Sequence, residues 1–467
     1  KPVVAVKSGR STQGIPLGHT VGISDLPDAA LDAMFRQSGV IRVDTVSELF
    51  DVGTLLAYQP LPTGGTVAVV GNAGALCLLA ADAAVASGLE VRRDPWDLGP
   101  DASADDYSAA LADLRADPEV HSLLVVYSPA IEGPSSEDVA RAIADVAAGA
   151  DKPVVTTFLG VRGVPVSMRR LDDSGVAVRG SVPSYPSVEE AAHALAHAYR
   201  YASWRRRRHG TVPEVSGVDS AAARAFVEER LGGAIAPDVR PNVELSAADL
   251  KTLLGHYGID LLPMIPVHTL ADAQAATAAL AGEVVLKATA PHLRHRPDLA
   301  DVWRNIDTPE DMRDAWETMS HTLADPAQAR FVVQPMAPGG VPVVVRARED
   351  AMFGPVVSFG VAGVATELLG DRSYRIPPLT DVDVAEMVRE VKAAPLLFGY
   401  GGGIVADTAA IEDLVHRVSL LVDDLPEIAE IELNPVLVGE SGLAVVNASA
   451  RLTAPPSRYD WYIRRLG

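Results

Sequence analysis

The stretch that decides the fold is IELNPV at residues 431–436, followed by the strand-like segment GLAVVNASARL at 442–452. Glu432 and Asn434 are two positions apart, so on a strand their side chains point to the same face. Hard oxygen ligands on a rigid strand are what a magnesium–nucleotide site needs. The pair therefore predicts such a site on a sheet near the end of the chain.

Size and charge limit the function classes. The chain has 467 residues, of which 48% are hydrophobic and 22% charged, and this composition is typical of a globular protein with about three domains. The formal net charge of -21 argues against nucleic acid as a partner. It is compatible with ATP or coenzyme A, because local amides and a few cations hold such anions.

Cysteine content and hydropathy indicate a compartment. Cys77 is the single cysteine, which excludes an internal disulfide framework and favours a reducing compartment. No run of about 18 uncharged apolar residues predicts a membrane span, so we expect a cytoplasmic protein. The chain begins directly with a predicted strand, without a signal peptide or initiator methionine, and we interpret it as a piece of a longer polypeptide.

Short Val-rich segments alternate with amphipathic helices between about residues 64 and 204. The predicted strands are 66–70, 122–126 and 153–158, and the predicted helices are 75–87, 104–116, 136–147 and 187–201. This alternation predicts an α/β fold with a doubly wound parallel sheet, flavodoxin-like or Rossmann-like. The basic run 205–208 is interpreted as a solvated helix end that complements the helix dipole.

Five segments follow from composition and pattern. They are the closing part of an α/β domain at 1–58, a second α/β domain at 59–208, a linker at 209–242, a mixed helix and strand domain at 243–453, and a tail at 454–467.

Two loops are candidates for binding anions. The first contains Lys7, Ser8, Gly9 and Arg10 and continues to His19; small residues beside cations form an anion nest, and a loop histidine can accept a phosphoryl group. An ordinary exposed loop histidine is the alternative. The second loop is the turn Asn72, Ala73 and Gly74, which links a strand to a helix and lets backbone approach a phosphate. Tight packing alone is its alternative.

An ordered set of motifs extends over nearly the whole chain. KSGRS at 7–11, MFRQSGVIRV at 34–43, EVVLK at 283–287, QPM at 334–336, FGP at 353–355 and IELNP at 431–435 come in this order. The set resembles the NDP-forming acyl-CoA synthetases, the group of the ADP-forming acetate–CoA ligases and succinyl-CoA synthetase. The resemblance implies that 1–58 ends a CoA-ligase-type domain with a histidine loop, and that 59–208 is a second CoA-ligase domain. It implies an ATP-grasp domain at 243–453.

The resemblance also implies roles for individual residues. His19 is the candidate phosphohistidine, and the two loops described above would hold phosphate or coenzyme A. Lys287, Gln334 and Glu367 would bind nucleotide, although Lys287 taken without this context is equally an exposed strand-end lysine. Glu432, Asn434 and Asn447 would ligate magnesium, Asn447 more weakly than the aspartate that the family has there.

Several departures from the family pattern fall where chemistry is expected. The segment HRPDLADV at 295–302 replaces a glycine-containing phosphate loop: Pro297 lacks a donor N–H, Ala300 replaces a glycine, and Asp301 adds repulsion. Pro342 replaces a glutamate, and GVAG at 360–363 replaces a glycine-rich segment. These changes together predict that ATP turnover is impaired.

Three functions follow from the resemblance. The first is the synthetase-like module of a GNAT-linked protein lysine acetyltransferase, catalytically impaired and sensing acyl-CoA or nucleotide. The alternative is an active ADP-forming acetate or acyl-CoA ligase that works through a phosphohistidine, and the third is a scaffold without ligand. ATP or ADP, coenzyme A or acyl-CoA, and Mg²⁺ are the implied cofactors. The expected partners are an absent N-terminal CoA-binding domain, a GNAT domain and further copies in a homo-oligomer, without nucleic acid or membrane.

Overall fold

The computed structural model describes residues 1–6, 26–129, 135–232, 242–280, 282–290, 302–323, 329–350 and 353–454. These residues form two compact units. The first holds the described residues within 1–19 and 35–208, and the second holds those within 20–34 and 209–467. The predicted tail, from residue 455 onward, lies outside the described ranges.

The elements up to residue 208 are, in chain order, β1 (Val3–Val6), α1 (Asp28–Ser38), β2 (Val40–Val43), α2 (Val46–Tyr58), β3 (Thr66–Gly71), α3 (Gly74–Ala86), β4 (Glu90–Val91), β5 (Trp96–Asp97), α4 (Ala104–Ala116), β6 (Ser122–Tyr127), α5 (Ser136–Ala147), β7 (Val154–Phe158) and α6 (Val188–Arg206).

The elements after residue 208 are α7 (Ser220–Gly232), β8 (Asn242–Glu244), α8 (Ala247–Gly255), β9 (Ile265–Pro266), α9 (Leu270–Leu280), β10 (Val284–Ala288), β11 (Val302–Ile306), α10 (Pro309–Thr322), β12 (Phe331–Pro335), β13 (Val341–Asp350), β14 (Gly354–Val361), α11 (Val364–Leu368), β15 (Ser373–Arg375), α12 (Asp381–Glu390), α13 (Thr408–Asp424), β16 (Ile428–Val438), β17 (Leu443–Val445) and β18 (Ala448–Thr453).

A parallel sheet forms the centre of the first unit. Its strand order is β4-β3-β6-β7, β5 also pairs with β3, and every one of these pairs is parallel. Alternate residues of β3 serve opposite faces: Val67 and Val69 pack with α3 and α6, whereas Ala68 and Val70 pack with α4 and α5. Helices therefore cover both faces, which confirms the predicted doubly wound sheet.

Local capping explains where the helices of this unit begin. Ser103 and Asp106 form a reciprocal capping box at the start of α4, and Ser135 caps α5. Helix α6 runs to Arg206, five residues beyond the prediction, because Trp204 stacks on Tyr201 at 6.0 Å and donates from Nε1 to the Gln37 carbonyl. The basic run thus begins inside the helix instead of following it.

Two antiparallel sheets form the second unit. The small sheet has the order β11-β10-β12-β9, and the large sheet has the order β15-β14-β13-β16-β18-β8 with β17 on β16. Helices α9 and α10 pack on one face of the small sheet, and helices α7, α8, α12 and α13 cover one face of the large sheet. The opposite faces carry Lys287, Gln334, Glu432 and Asn434 of the predicted nucleotide and metal residues, whereas Glu367 lies in α11 and Asn447 lies between β17 and β18.

The second unit resumes at residue 209, and side-chain packing crosses two of the other predicted segment bounds. Leu55 of α2 is fully buried in the core shared by α3 and α6, so residue 58 does not end a unit. In the predicted linker, Ala223 and Val227 of α7 are buried in the core of the large sheet. Amphipathic packing thus makes this part of the segment 209–242 a structural element of the second unit.

None of the helices in the described ranges combines the length and the apolarity that crossing a membrane requires.

Candidate functional site

Lys287 lies on the small sheet with its side chain on the face opposite the helices. Val284 and Leu286 of the same strand are buried under α9 and α10, so the period of two turns Lys287 the other way. Its Nζ donates a hydrogen bond to Oε1 of Gln334 on the neighbouring strand β12. The ammonium is therefore held in place by a buried amide.

Gln334 connects the two sheets of the second unit. Its Nε2 donates to the carbonyl oxygen of Val446 at 2.8 Å, in the segment that links β17 to β18. Its Oε1 accepts from Lys287 on the other side. One amide thus fixes the lysine of the small sheet relative to the backbone of the large sheet.

Glu432 and Asn434 share a face of the large sheet, as the sequence predicts. Asn434 Nδ2 donates to Glu432 Oε1 at 2.7 Å. The backbone N–H of Asn434 donates to the Asn447 carbonyl at 3.0 Å, and Asn447 Nδ2 donates to the Asn434 carbonyl at 3.2 Å. The three residues of the predicted metal site are therefore adjacent. The side-chain N–H groups of Asn434 and Asn447 already donate to protein oxygens, those of Glu432 and of the Asn434 carbonyl.

Arg346 of β13 faces Glu432 directly in the sheet register. Its Nη2 donates to Glu432 Oε1 at 2.8 Å and lies 3.4 Å from Glu367 Oε1, which Arg372 also contacts at 3.4 Å. Burial alone would lower the pKa of the Arg346 guanidinium, but its hydrogen bond and charge interaction with Glu432 outweigh burial and raise that pKa. We call these four residues, Arg346, Glu367, Arg372 and Glu432, the arginine–carboxylate cluster.

All six predicted nucleotide and metal residues thus belong to one set of contacts. We call this set the inter-sheet network. It consists of Lys287, Gln334, Asn447, Asn434, Glu432, Arg346 and Glu367, and the Val446 carbonyl, next to Asn447 in the chain, links Gln334 to the rest.

A cleft of 670 Å³ lies beside this network. Thr289 and Val332 line it from the small-sheet side, and Asn447 and Ser449 line it from the large sheet. Val332 is the register partner of Lys287, and Ser449 is the register partner of Glu432. The cleft has the size of a small-molecule pocket, and Asn447 is the member of the inter-sheet network that lines it.

The turn at the start of α3 uses its polar groups internally. Asn72 is buried, and its side chain makes two hydrogen bonds of 2.8 Å with the backbone N–H and carbonyl of Ser128 after β6. A Cβ on Gly74 would lie 2.5 Å from Oδ2 of Asp97, so the exposed Asp97 side chain would have to move to admit it. A carboxylate therefore already lies at the N-terminus of α3, where a ligand phosphate was predicted, and Ala73 adds no side-chain cap.

The first candidate loop and the altered phosphate loop are not among the described residues. Lys7, Ser8, Gly9, Arg10 and His19 lie outside the described residues, as do Pro297, Ala300 and Asp301. Their predicted roles stay predictions.

Comparison with known proteins places the chain in a family. The family model described as ATP-grasp domain matches residues 239–452, and the one described as succinyl-CoA ligase like flavodoxin domain matches residues 1–56. Acetate–CoA ligase [ADP-forming] I of Archaeoglobus fulgidus is 32% identical over 475 residues, which cover 96% of this chain and 65% of that relative. The beta subunit of acetate–CoA ligase [ADP-forming] I of Pyrococcus furiosus is 34% identical over 236 residues, covering 49% of this chain and 97% of the subunit.

The chain belongs to the ADP-forming acyl-CoA synthetase family. Membership confirms the predicted fold class, a flavodoxin-like parallel sheet with an ATP-grasp domain. A similar solved structure is the dinucleotide forming acetyl-coenzyme A synthetase 1 of Ca. Korarchaeum cryptofilum in complex with coenzyme A and Mg-AMPPCP. It is 30% identical, with a TM-score of 0.41, and the match covers 49% of this chain and 99% of that chain.

The residues of this synthetase-family chain do not fit a protein-bound Mg²⁺ at Glu432. Magnesium demands oxygen ligands in near-octahedral geometry, and carboxylate charge supplies much of the affinity. Glu432 is the one carboxylate of the three predicted ligands, and it already accepts from Arg346 and Asn434. Within the described ranges, no group of three or more His, Cys, Asp or Glu side chains is placed to hold a metal ion.

Sequence reasoning missed Arg346 and Arg372. The segment VVVRARED contains the signal, because strand alternation puts Arg346 and Arg348 on one polar face. Which of the two meets Glu432 depends on the pairing of β13 with β16, whose register shifts between Val343 and Val345. That irregularity cannot be read from composition or spacing.

Proposed function

We propose that this chain is the nucleotide-binding and phosphoryl-carrying part of an ADP-forming acyl-CoA ligase. The observation that carries the proposal is the inter-sheet network, which links Lys287 of the small sheet, through Gln334 and the Val446 carbonyl, to Glu432 of the large sheet and Glu367 of α11. The similarity to acetate–CoA ligase [ADP-forming] I over 96% of the chain supports it.

The reaction of such a ligase has three steps. Acyl-CoA and phosphate give an acyl phosphate and coenzyme A; a histidine takes the phosphoryl group and releases the acid; ADP then takes the phosphoryl group from the histidine and becomes ATP. In this chain His19 is the proposed carrier, and the cleft of 670 Å³ is the proposed nucleotide site. A related structure is described with its phosphohistidine segment pointing towards the nucleotide binding site.

The chain's own residues supply charge and position at the nucleotide end. Lys287, fixed by Gln334, offers an ammonium to the nucleotide phosphates. Arg346 and Arg372 bring two further cations near the carboxylates of the cluster. Coenzyme A and nucleotide are the proposed ligands, since the related synthetase structure contains coenzyme A and AMPPCP.

Two finer predictions have no support in the relatives. The relatives described above are named as ligases or synthetases, and none of their names points to a GNAT-linked acetyltransferase. Impaired turnover was predicted largely from Pro297, Ala300 and Asp301, which lie outside the described residues. Both stay predictions, as does the homo-oligomer.

Phosphorylation of the purified protein tests the proposal. Incubation with ATP labelled at the γ-phosphate should give an acid-labile, alkali-stable label on His19. The label should disappear in His19→Asn and in Lys287→Met, and it should persist in the control His193→Gln, which changes an exposed histidine of α6. ADP binding by calorimetry without any label would favour the impaired module, and the absence of both binding and label would contradict the proposal.

A further inference from the structure

Arg346 occupies an unusual position for an arginine. It is only 22% exposed, it lies in the middle of a seven-stranded sheet, and one Nη2 atom is shared between Glu432 at 2.8 Å and Glu367 at 3.4 Å. An isolated surface ion pair contributes little, but a partly buried guanidinium between two carboxylates is held in one geometry. The position that the family resemblance assigns to a metal ligand therefore faces a fixed organic cation.

A second observation marks this guanidinium. Its Nε is buried and has no hydrogen-bond partner within the part of the chain that the structure describes. A buried N–H without an acceptor carries a free-energy cost, because the group has lost its hydrogen bond to water. The two carboxylates therefore hold Arg346 in place despite that cost. The described residues supply no acceptor for Nε, and an oxygen atom of a ligand would satisfy it.

The charges of the network also favour an anion. In the arginine–carboxylate cluster the guanidinium groups of Arg346 and Arg372 balance the carboxylates of Glu367 and Glu432. Lys287 of the network adds one further cation, so the network and the cluster taken together carry one more positive than negative side chain. Both amides near Glu432 direct N–H groups at protein oxygens: Asn434 at Glu432 and Asn447 at the Asn434 carbonyl. A metal ion would have to displace Arg346 and turn Asn434 before it could reach two carboxylate or amide oxygens together.

We propose that the Arg346 guanidinium takes the place of a protein-bound divalent cation at Glu432, so that this site binds nucleotide phosphate without a metal ligated by the protein. The inference rests on the proposed function, because it concerns the phosphate groups of the same nucleotide. It names the ligand chemistry as the oxygens of a nucleoside di- or triphosphate. Magnesium then acts only as a counterion that the nucleotide carries in solution.

Calorimetric titration with ADP, in excess Mg²⁺ and in excess EDTA, tests this inference. The wild-type Kd should differ by no more than about 2-fold between the two conditions. Arg346→Gln should bind ADP about 10- to 100-fold more weakly in EDTA, the range expected for the loss of a charged hydrogen bond. Arg346→Lys, which keeps a cation, should retain most of the metal-free affinity and thereby separates charge from folding.

Arg348→Gln is the matched control. Arg348 lies two residues further along the same strand, on the same face, and is exposed, and its register partner is Glu430 instead of Glu432. Its removal should leave the Kd for ADP in EDTA unchanged within about 2-fold. An equal loss in both arginine variants would mean that general positive charge binds the nucleotide, and this would overturn the specific role of Arg346.

Two further results separate failure of this inference from failure of the proposed function. If wild-type protein binds ADP only with Mg²⁺, the inference is wrong while the nucleotide function stands. If it binds ADP under neither condition, both are wrong. Electron paramagnetic resonance with Mn²⁺ gives a readout without nucleotide: wild-type protein should bind no Mn²⁺, and binding that Glu432→Gln abolishes would overturn the inference.

Discussion

The turn at the start of α3 and the arginine–carboxylate cluster of the large sheet are both rich in polar groups, but they use them differently. In the turn, the Asn72 amide makes both of its hydrogen bonds with the backbone of Ser128, and the Asp97 carboxylate lies at the N-terminus of the helix. In the cluster, two guanidinium groups meet two carboxylates, and Arg346 Nε has no hydrogen-bond partner among the described residues. Saturated polar groups stabilise a fold, whereas unsaturated and charged ones remain available for a ligand.

The comparison favours the second unit for the phosphate chemistry that the proposed function requires of the described residues. It also assigns the predicted phosphate turn of the first unit a structural task, which is to hold the carboxyl ends of β3 and β6 together. Substitutions in the two places should therefore separate cleanly into effects on binding and effects on stability.

The largest effect should come from Lys287→Met. Removal of the ammonium should weaken ADP binding about 100-fold, because a charge-assisted contact to phosphate contributes up to roughly 3 kcal/mol. The thermal midpoint without ligand should change less than the ADP affinity, because the hydrogen bond from Lys287 to the Gln334 amide contributes only modestly to folding stability. Calorimetry with ADP measures the first effect, and Lys251→Met, an exposed lysine of α8, is the control. Equal weakening in both variants would contradict a specific role of Lys287.

Asn72→Ala should act on stability instead. Loss of two hydrogen bonds to the Ser128 backbone, with the buried groups left unpaired, should lower the free energy of unfolding by about 2 kcal/mol. ADP affinity should not change. Peptide-resolved hydrogen exchange over β3 and β6 checks the location. Gln59→Ala removes a similar buried amide, which bridges Val154 and Ser181, and should cost a comparable amount; a drop in ADP affinity for Asn72→Ala would break the comparison.

Acid should weaken the first unit through His197 of α6. Burial, followed by the charge of Arg200, lowers the pKa of His197 from 6.5 to about 4. The folded state therefore binds fewer protons than the unfolded state between these values, and stability is lost as the pH falls through this window. His197→Gln should reduce the acid-induced loss of unfolding free energy by about 1 kcal/mol; the value is small because His197 is partly exposed and solvent screens its charge. Urea unfolding near neutral pH and near pH 5 measures it, with His193→Gln as an exposed control on the same helix; an unchanged pH dependence in His197→Gln would contradict the assignment.

The smallest effect concerns Cys77, in the first turns of α3. The side chain is fully buried, and burial raises the pKa of the thiol to about 11. The thiol should not react with a disulfide reagent at mildly alkaline pH until the protein is unfolded. Ala75→Cys, which adds an exposed thiol two residues earlier, should react at once in the native protein. Rapid labelling of native wild-type protein would show that the packing around the turn opens.

Periodicity and capping residues made the α/β half predictable. Helices α4 and α5 have the predicted bounds, because a serine cap and an apolar stripe both lie within a few residues of the helix start. The end of α6 was not predictable, since Trp204 extends it through a contact with Gln37, far away in sequence. The role of Arg346 was not predictable for the same reason, because its partner Glu432 is 86 residues away and only the strand register brings the two together.

Gln334 has a consequence for how this protein can be altered. Its amide presents an acceptor to Lys287 and a donor to the Val446 carbonyl, and no other natural side chain of that length offers both. A glutamate in its place would attract the lysine more strongly and, at the same stroke, repel the carbonyl. The exchange of Gln334 for glutamate would thus strengthen the interaction with Lys287 and remove the hydrogen bond that links the small sheet to the large sheet. At this position one of the two interactions cannot be strengthened without loss of the other.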